Sequence, residues 1–125
     1  MNWKVQFNEK FRMVILTYSG FTSVNDLYDS TISVIDLTNS KGAYKILVDS
    51  RNVLTDSTRA DIFKFPSELY SKLGMNRATR IAIMEPKDLD AQNIAYFYEL
   101  AAKNLGWEAK IHDDRKQAVQ WLQGD

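Results

Sequence analysis

The chain has 125 residues, with 16 basic and 16 acidic side chains, and 45% of its residues are hydrophobic. This length fits one domain with a buried core, spanning residues 1–125, and leaves no room for a second folded unit. The balanced charge argues against a nucleic-acid-binding protein, which needs an excess of Lys and Arg on one face. The chain has no cysteine, which excludes disulfides, thiolate metal ligands and a thiol nucleophile.

The N-terminal residues lack the apolar core and small-residue cleavage site of a signal peptide. The longest apolar run, Met13 to Leu16, is far shorter than the roughly 20 residues that a membrane helix requires. We therefore expect a cytoplasmic protein without a membrane span.

The chain begins with the pattern of a β-hairpin. Trp3, Val5 and Phe7 alternate with polar residues, as in a half-buried strand, and a second strand is predicted from Phe11 to Tyr18. Ser23 and Asp26 then form the pattern of a capping box, which predicts a helix ending before Gly42.

The middle of the chain predicts a buried strand and an interrupted helix. Ala43 to Asp49 is mostly apolar and typical of a central parallel strand, and the polar residues 50–56 predict a loop. Helical spacing follows from Ile62 to Leu73. Pro66 falls inside that helix and predicts either a kink or two short helices, with Pro66 opening the second.

The last third predicts two further strands, each followed by a helix. Arg80–Met84 is a buried strand, and Asp88 is a good N-cap for a third helix ending at Gly106. That helix is predicted to turn Ile94, Phe97, Tyr98, Ala101 and Leu105 inward. A strand over 107–111 and a short helix capped by Asp114 and Gln117, which buries Ala118, Trp121 and Leu122, complete the order ββαβαβαβα. This order predicts the α/β class, with a mainly parallel sheet, an antiparallel N-terminal hairpin at its edge and helices packed on it.

Several segments resemble the SpoIIAA-like group of the STAS and CRAL-TRIO lipid-transfer superfamily. They are residues 46–58, 80–83, 104–106, 111–114 and 118–122. The resemblance implies a SpoIIAA-like (STAS-like) fold over nearly the whole chain. It also implies one of two functions. The domain either binds proteins and regulates them, as anti-sigma factor antagonists do, or carries lipids.

The resemblance places a phosphorylation turn at Asp56-Ser57-Thr58. By position Thr58 is the candidate acceptor and Ser57 its neighbour, while Arg59 stands where the family pattern has glycine. A phosphate group attached to a hydroxyl at a helix start is stabilised, because free backbone amides and the positive end of the helix dipole lie there. The alternative is that these residues only cap the helix.

Polar residues follow the carboxyl ends of the two predicted central strands, the edge at which open α/β sheets bind ligands. They form a candidate binding edge of Asp49, Arg51, Asp56, Arg59, Glu85 and Lys87. Surface ion pairing is the alternative explanation of the same residues, and the more common one.

Four aromatic residues on the second and third predicted helices, Phe63, Phe65, Tyr70 and Tyr96, do not all fit the inward stripes. They form a candidate apolar cleft between these helices, and packing in the core is the alternative.

The sequence lacks the residues of common enzymes. His112 is the only histidine, beside Asp113 and Asp114, and one histidine without cysteine makes a zinc site improbable. No phosphate-binding glycine loop, nucleophile elbow or His-Glu-x-x-His motif occurs. We therefore expect no catalytic residues, metal or cofactor. The leading hypothesis is a regulatory domain with a protein partner, and the alternative is a carrier or sensor of a small apolar molecule or lipid.

Overall fold

The computed structural model describes residues 2–124 as a five-stranded sheet with helices on both faces. The strands are β1 (Trp3–Asn8), β2 (Met13–Phe21), β3 (Lys45–Leu54), β4 (Arg80–Met84) and β5 (Glu108–His112). Their order in the sheet is the order in the chain. β1 pairs antiparallel with β2, and all other pairs are parallel. The predicted α/β class and strand directions are thereby confirmed.

The helices are α1 (Val24–Lys41), α2 (Arg59–Lys64), α3 (Tyr70–Lys72), α4 (Leu89–Asn104) and α5 (Arg115–Leu122). A π-helical turn, Phe65–Leu69, joins α2 directly to α3, and we call residues 59–72 the α2–α3 segment. Three strand-to-strand connections contain α1, the α2–α3 segment and α4 in turn. Right-handed crossovers that always step in the same direction bring their helices to the same face of the sheet.

The capping signals in the sequence all correspond to helix starts. Ser23 caps α1 in a complete capping box with Asp26, and Gly42 ends the helix in the left-handed conformation at φ 60°. Asp88 caps α4 and Asp114 caps α5 through their carboxylates. At α5 only the Asp114 half of the predicted box forms, by accepting a hydrogen bond from the Gln117 amide.

β3 is longer than the sequence predicts, and the predicted loop over 50–56 is wrong for residues 50–54. The strand continues to Leu54 because the end of β2 pairs with it, Gly20 beside Val53 and Phe21 beside Leu54. A register shift between Thr17 and Ser19 accommodates the extension. β2 in turn begins at Met13, two residues later than predicted.

Pro66 lies in the first turn of the π-helical segment, so the interruption takes the form of a changed helical pitch within a continuous segment. The indole nitrogen of Trp107 donates a hydrogen bond of 2.8 Å to the Pro66 carbonyl. This bond satisfies a backbone acceptor at the interruption and connects it to the residue that precedes β5.

The two faces of the sheet have separate cores. α1, the α2–α3 segment and α4 cover a large core that includes Val14, Leu16, Ile46 and Ile81. α5 covers a smaller one around Met13, Leu47, Met84, Ala118 and Leu122, with Trp121 partly buried beside it. The predicted inward face of α5 is thereby confirmed, whereas Leu105 at the end of α4 is 37% exposed and was wrongly predicted to be buried.

We expect Ser23→Ala to lower the free energy of unfolding by about 1 kcal/mol, because the substitution removes the acceptor of the Asp26 amide at the start of α1. Urea denaturation measures the change. The matched control is Ser40→Ala near the other end of α1, where the exposed hydroxyl only donates to the Leu37 carbonyl; we expect a change within about 0.5 kcal/mol. Equal losses in both variants would contradict the capping role.

Candidate functional site

A cavity of about 150 Å³ lies between the sheet and the three helical segments of the larger core. Its floor comes from β2, β3 and β4 and includes Leu16, Val48 and Ile83. Its walls come from α1, the α2–α3 segment and α4, and include Ile35, Ile62 and Ile94. The lining is almost wholly apolar, and an apolar cavity of about 150 Å³ holds a molecule the size of benzene.

The partial exposure of Val48 shows where the helices do not cover the sheet. It lies in the central strand β3, which is paired on both sides, and its side chain points to the same face as buried Ile46. A residue in this position is normally fully covered, yet Val48 is only partly buried, as are Ile94 and Ala95 opposite it in α4. The cavity therefore separates the middle of the sheet from α4.

Small side chains on the surrounding elements account for this space. Ala91 and Ala95 are one turn apart on the inward face of α4, and Ser50 follows Val48 on the same face of β3. The Ser50 hydroxyl donates to the Met84 carbonyl at 2.6 Å and so lies back against the sheet. These small residues were the one signal in the sequence that could have indicated a cavity rather than a filled core.

Three tyrosines that line the cavity have their hydroxyls hydrogen-bonded to other hydroxyls. The Tyr18 hydroxyl lies 2.6 Å from that of Ser30, which donates to the Leu27 carbonyl at 3.0 Å, so Tyr18 is the donor to Ser30. The hydroxyls of Tyr70 and Tyr98 lie 2.6 Å apart. Burial raises the pKa of Tyr18 to about 12 and raises the pKa values of Tyr70 and Tyr98 far above the usual value. All three phenols stay protonated and can serve as hydrogen-bond donors.

The structure divides the four residues predicted for the apolar cleft. Phe65 and Tyr70 are buried and line the cavity. Phe63 and Tyr96 are 43% and 47% exposed and do not line it; the Tyr96 hydroxyl instead donates to the Glu85 carboxylate. The cavity also involves α1 and the sheet, which the prediction from the aromatic pattern missed.

The Asp56-Ser57-Thr58 turn lies at the start of α2. Thr58 is exposed and caps the helix, accepting a hydrogen bond from the Asp61 amide while the Asp61 carboxylate accepts from the Thr58 amide. These bonds hold the pKa of Asp61 below its usual value. Ser57 is only 6% exposed, and its hydroxyl lies 2.7 Å from that of Thr55. Of the two candidate acceptors, only Thr58 is accessible.

The candidate binding edge separates into several local contacts. Arg51 donates two hydrogen bonds to the Asp49 carboxylate, at 3.0 and 2.9 Å, which hold the pKa of Asp49 below its usual value. Asp49 precedes Ser50 in the strand and points to the opposite face, toward α5. It therefore does not face the cavity.

The other members of this edge contact different neighbours. The Arg59 guanidinium lies 5.5 Å from the centre of the Phe97 ring, which joins α2 to α4, and Glu85 bonds Tyr96. The Lys87 amide donates to the Arg51 carbonyl, and Asp56 is exposed in the loop before α2. Within residues 2–124, no hydrogen bond or ion pair between side chains joins the six residues into one polar site.

His112 lies at the end of β5, packed against Trp121 of α5 with 5.4 Å between ring centres. It is 7% exposed, and its Nε2 has no hydrogen-bond partner among the described residues. Burial lowers its pKa, and nearby Lys110 adds to this. The neutral imidazole thus belongs to the smaller core.

Two further properties bear on function. Across residues 2–124 no three or more His, Cys, Asp or Glu side chains are grouped as a metal ion would require. Within the same range, every helix is too short or too polar to cross a bilayer.

No protein-family model and no curated protein matches the chain. The solved structures with a similar fold include the following two. One is an uncharacterized protein from the DUF3478 family with a SpoIIAA-like fold from Shewanella loihica PV-4, with 17% identity, a TM-score of 0.61 and coverage of 96% of this chain and 91% of the other. The second is the anti-sigma factor antagonist SpoIIAA in its unphosphorylated form, with 12% identity, a TM-score of 0.56 and coverage of 98% and 99%. These likenesses establish a SpoIIAA-like fold, and the fold that the sequence resemblance implied is confirmed.

We expect the free energy of unfolding to fall as the pH drops below about 6.5, the usual pKa of histidine. The unfolded chain then binds a proton that buried His112 resists, so stability is complete above this pH and is lost as the pH falls toward the lowered folded pKa. The loss is at most about 1.4 kcal/mol per pH unit.

Urea denaturation of wild type and His112→Phe at pH 7.5 and 5.5 measures this effect. The variant keeps an aromatic ring against Trp121 and should lose less stability between the two pH values. The same loss in both proteins would assign the acid sensitivity to other groups.

Proposed function

We propose that this domain binds a small apolar molecule in the cavity beneath α1, the α2–α3 segment and α4, and acts as its carrier or sensor. The observation that supports this most directly is that the helices leave Val48, in the central strand, partly uncovered. A ligand there would bury apolar surface of its own and of the protein, at about 25 cal/mol per Å².

The chemistry of the lining supports an apolar occupant. None of the described residues around the cavity carries a charge, and most are aliphatic or aromatic. A charged group on a ligand would lose its hydration without gaining a partner, which is costly. Apolar pockets with few polar groups are typical sites for such ligands.

The segment that covers one side of the cavity is short. α2 has six residues and contacts α4 through Arg59 and Phe97, an exposed cation–π contact that contributes about 0.5–1 kcal/mol. The π-helical turn Phe65–Leu69 follows α2 directly in the chain. We expect a ligand to enter by displacement of α2 from α4.

Ala95→Leu should weaken binding of a small apolar probe at least tenfold, because the larger side chain occupies part of the cavity. Calorimetric titration with ethylbenzene measures the affinity. Native mass spectrometry after gentle purification detects any molecule that the protein retains. Ala60→Leu is the matched control, since Ala60 is exposed on α2 and away from the lining. If wild type binds no apolar probe, or if both variants bind as wild type does, the proposed function is wrong.

A second candidate is a regulatory domain that binds a protein partner and is switched by phosphorylation at Thr58. The exposure of Thr58 at a helix start favours it, as does the likeness in fold to an anti-sigma factor antagonist. A phosphate on Thr58 would stand beside the Asp61 carboxylate that now completes the capping box. Repulsion between them would open the box and alter the surface at the start of α2.

We expect Thr58→Asp to change the set of proteins captured from a lysate of the source organism, because a negative charge then replaces the hydroxyl. Thr58→Asn is the control, since Asn caps a helix as well as Asp does but adds no charge. Quantitative mass spectrometry compares the proteins captured by wild type and both variants. Identical captures by all three would exclude a charge switch at this position.

A further inference from the structure

We propose that the ligand is a neutral molecule with an apolar body and one hydrogen-bond acceptor oxygen, such as a ketone or an ester, which accepts a hydrogen bond from the Tyr70–Tyr98 hydroxyl pair. This inference rests on the proposed binding function and specifies the chemical class of the ligand. It follows from the number of donors on the cavity wall.

The Tyr70–Tyr98 pair has one hydroxyl proton to spare. Two hydroxyls carry two protons, and the single bond of 2.6 Å between them uses one. Neither phenol oxygen makes another hydrogen bond within residues 2–124. Both tyrosines line the cavity and Tyr70 is buried, so an acceptor on a ligand can satisfy the remaining donor.

The other hydroxyls inside the cavity wall have already used their protons. Tyr18 donates to Ser30, and Ser30 donates to the Leu27 carbonyl. Thr31 donates to that same carbonyl at 2.8 Å, and Ser50 donates to the Met84 carbonyl. These groups offer a ligand no free donor.

A second hydroxyl pair, Thr55 and Ser57, also leaves one proton unused. Thr55 also lines the cavity. It is only partly buried, at the carboxyl end of the sheet beside exposed Asp56 and Thr58, where water can accept the bond. Of these two spare donors, the one of the tyrosine pair involves buried Tyr70 and gains more from an acceptor on a ligand.

The uncharged lining of the cavity also indicates that the ligand is neutral. An alkane would leave the tyrosine donor unsatisfied, whereas a carboxylate would bring a full charge into a lining without a cation. A neutral carbonyl satisfies the donor and avoids that penalty. The aromatic contacts of Tyr70 with Tyr98 and Trp107, at 6.5 and 5.4 Å between ring centres, hold the pair in place.

The test uses three probes of similar size: acetophenone with one acceptor, ethylbenzene with none, and benzoate with a charge. Calorimetry gives each dissociation constant for wild type, Tyr70→Phe, Tyr98→Phe and the double variant. The measured quantity is the ratio of the ethylbenzene constant to the acetophenone constant, because the different hydration of the two probes cancels when this ratio is compared between variants.

We expect the ratio to fall about fivefold to tenfold in the double variant, which is the effect of one neutral hydrogen bond. Each single variant keeps one hydroxyl with a free proton and should retain the wild-type ratio. Benzoate should bind wild type at least tenfold more weakly than acetophenone at pH 7. Thermal melting checks that the variants fold.

The infrared carbonyl stretch of acetophenone gives a second measurement that needs no variant. Binding to wild type should shift it to lower frequency than in an apolar solvent, as a hydrogen-bonded carbonyl requires. An unshifted stretch, an unchanged ratio in the double variant, or benzoate binding as tight as that of acetophenone would each overturn the inference and leave the apolar-ligand function intact. Failure of wild type to bind any of the three probes would overturn both.

Discussion

The arrangement of the helices depends on the handedness and direction of the connections between parallel strands. After the N-terminal hairpin, every connection between parallel strands steps the same way across the sheet, from β2 through to β5. Because such crossovers are right-handed, α1, the α2–α3 segment and α4 share one face. Only the helix after the last strand remains for the other face, where α5 packs over β3 and β4.

This unequal distribution explains why the cavity lies where it does. Three helical segments must meet over β3, and each is held at its ends by the strands it connects. Between them the small inward residues of α4, Ala91 and Ala95, do not reach Val48. The hydrogen bond from Trp107 to Pro66 holds the π-helical turn beside the residue that precedes β5. On the α5 face, by contrast, Leu47, Met84 and Leu122 are almost completely buried.

The features that could be predicted from the sequence are the local ones. Ser23, Asp88 and Asp114 mark helix starts because a cap and its amide partner lie within three residues of each other. The far half of β3 could not be predicted, because it depends on pairing with residues more than 30 positions earlier, such as Phe21 with Leu54.

The candidate site was predictable only in part for the same reason. Helical periodicity identified the inward position of Tyr98, and the aromatic pattern selected Phe65 and Tyr70. Periodicity shows which side chains point inward, but whether opposing side chains touch depends on the distance between elements. The meeting of Tyr70 with Tyr98 joins residues 28 positions apart, and no spacing rule connects them.

The cavity also affects the volume of the protein. It is space between the sheet and the helices that the chain does not fill with its own atoms, and unfolding eliminates it. Hydrostatic pressure favours the state of smaller volume, and the volume change on unfolding scales with internal void space. The core covered by the three helical segments should therefore unfold at lower pressure than the core around Leu47, Met84 and Leu122, and a molecule bound over Val48 would reduce that difference.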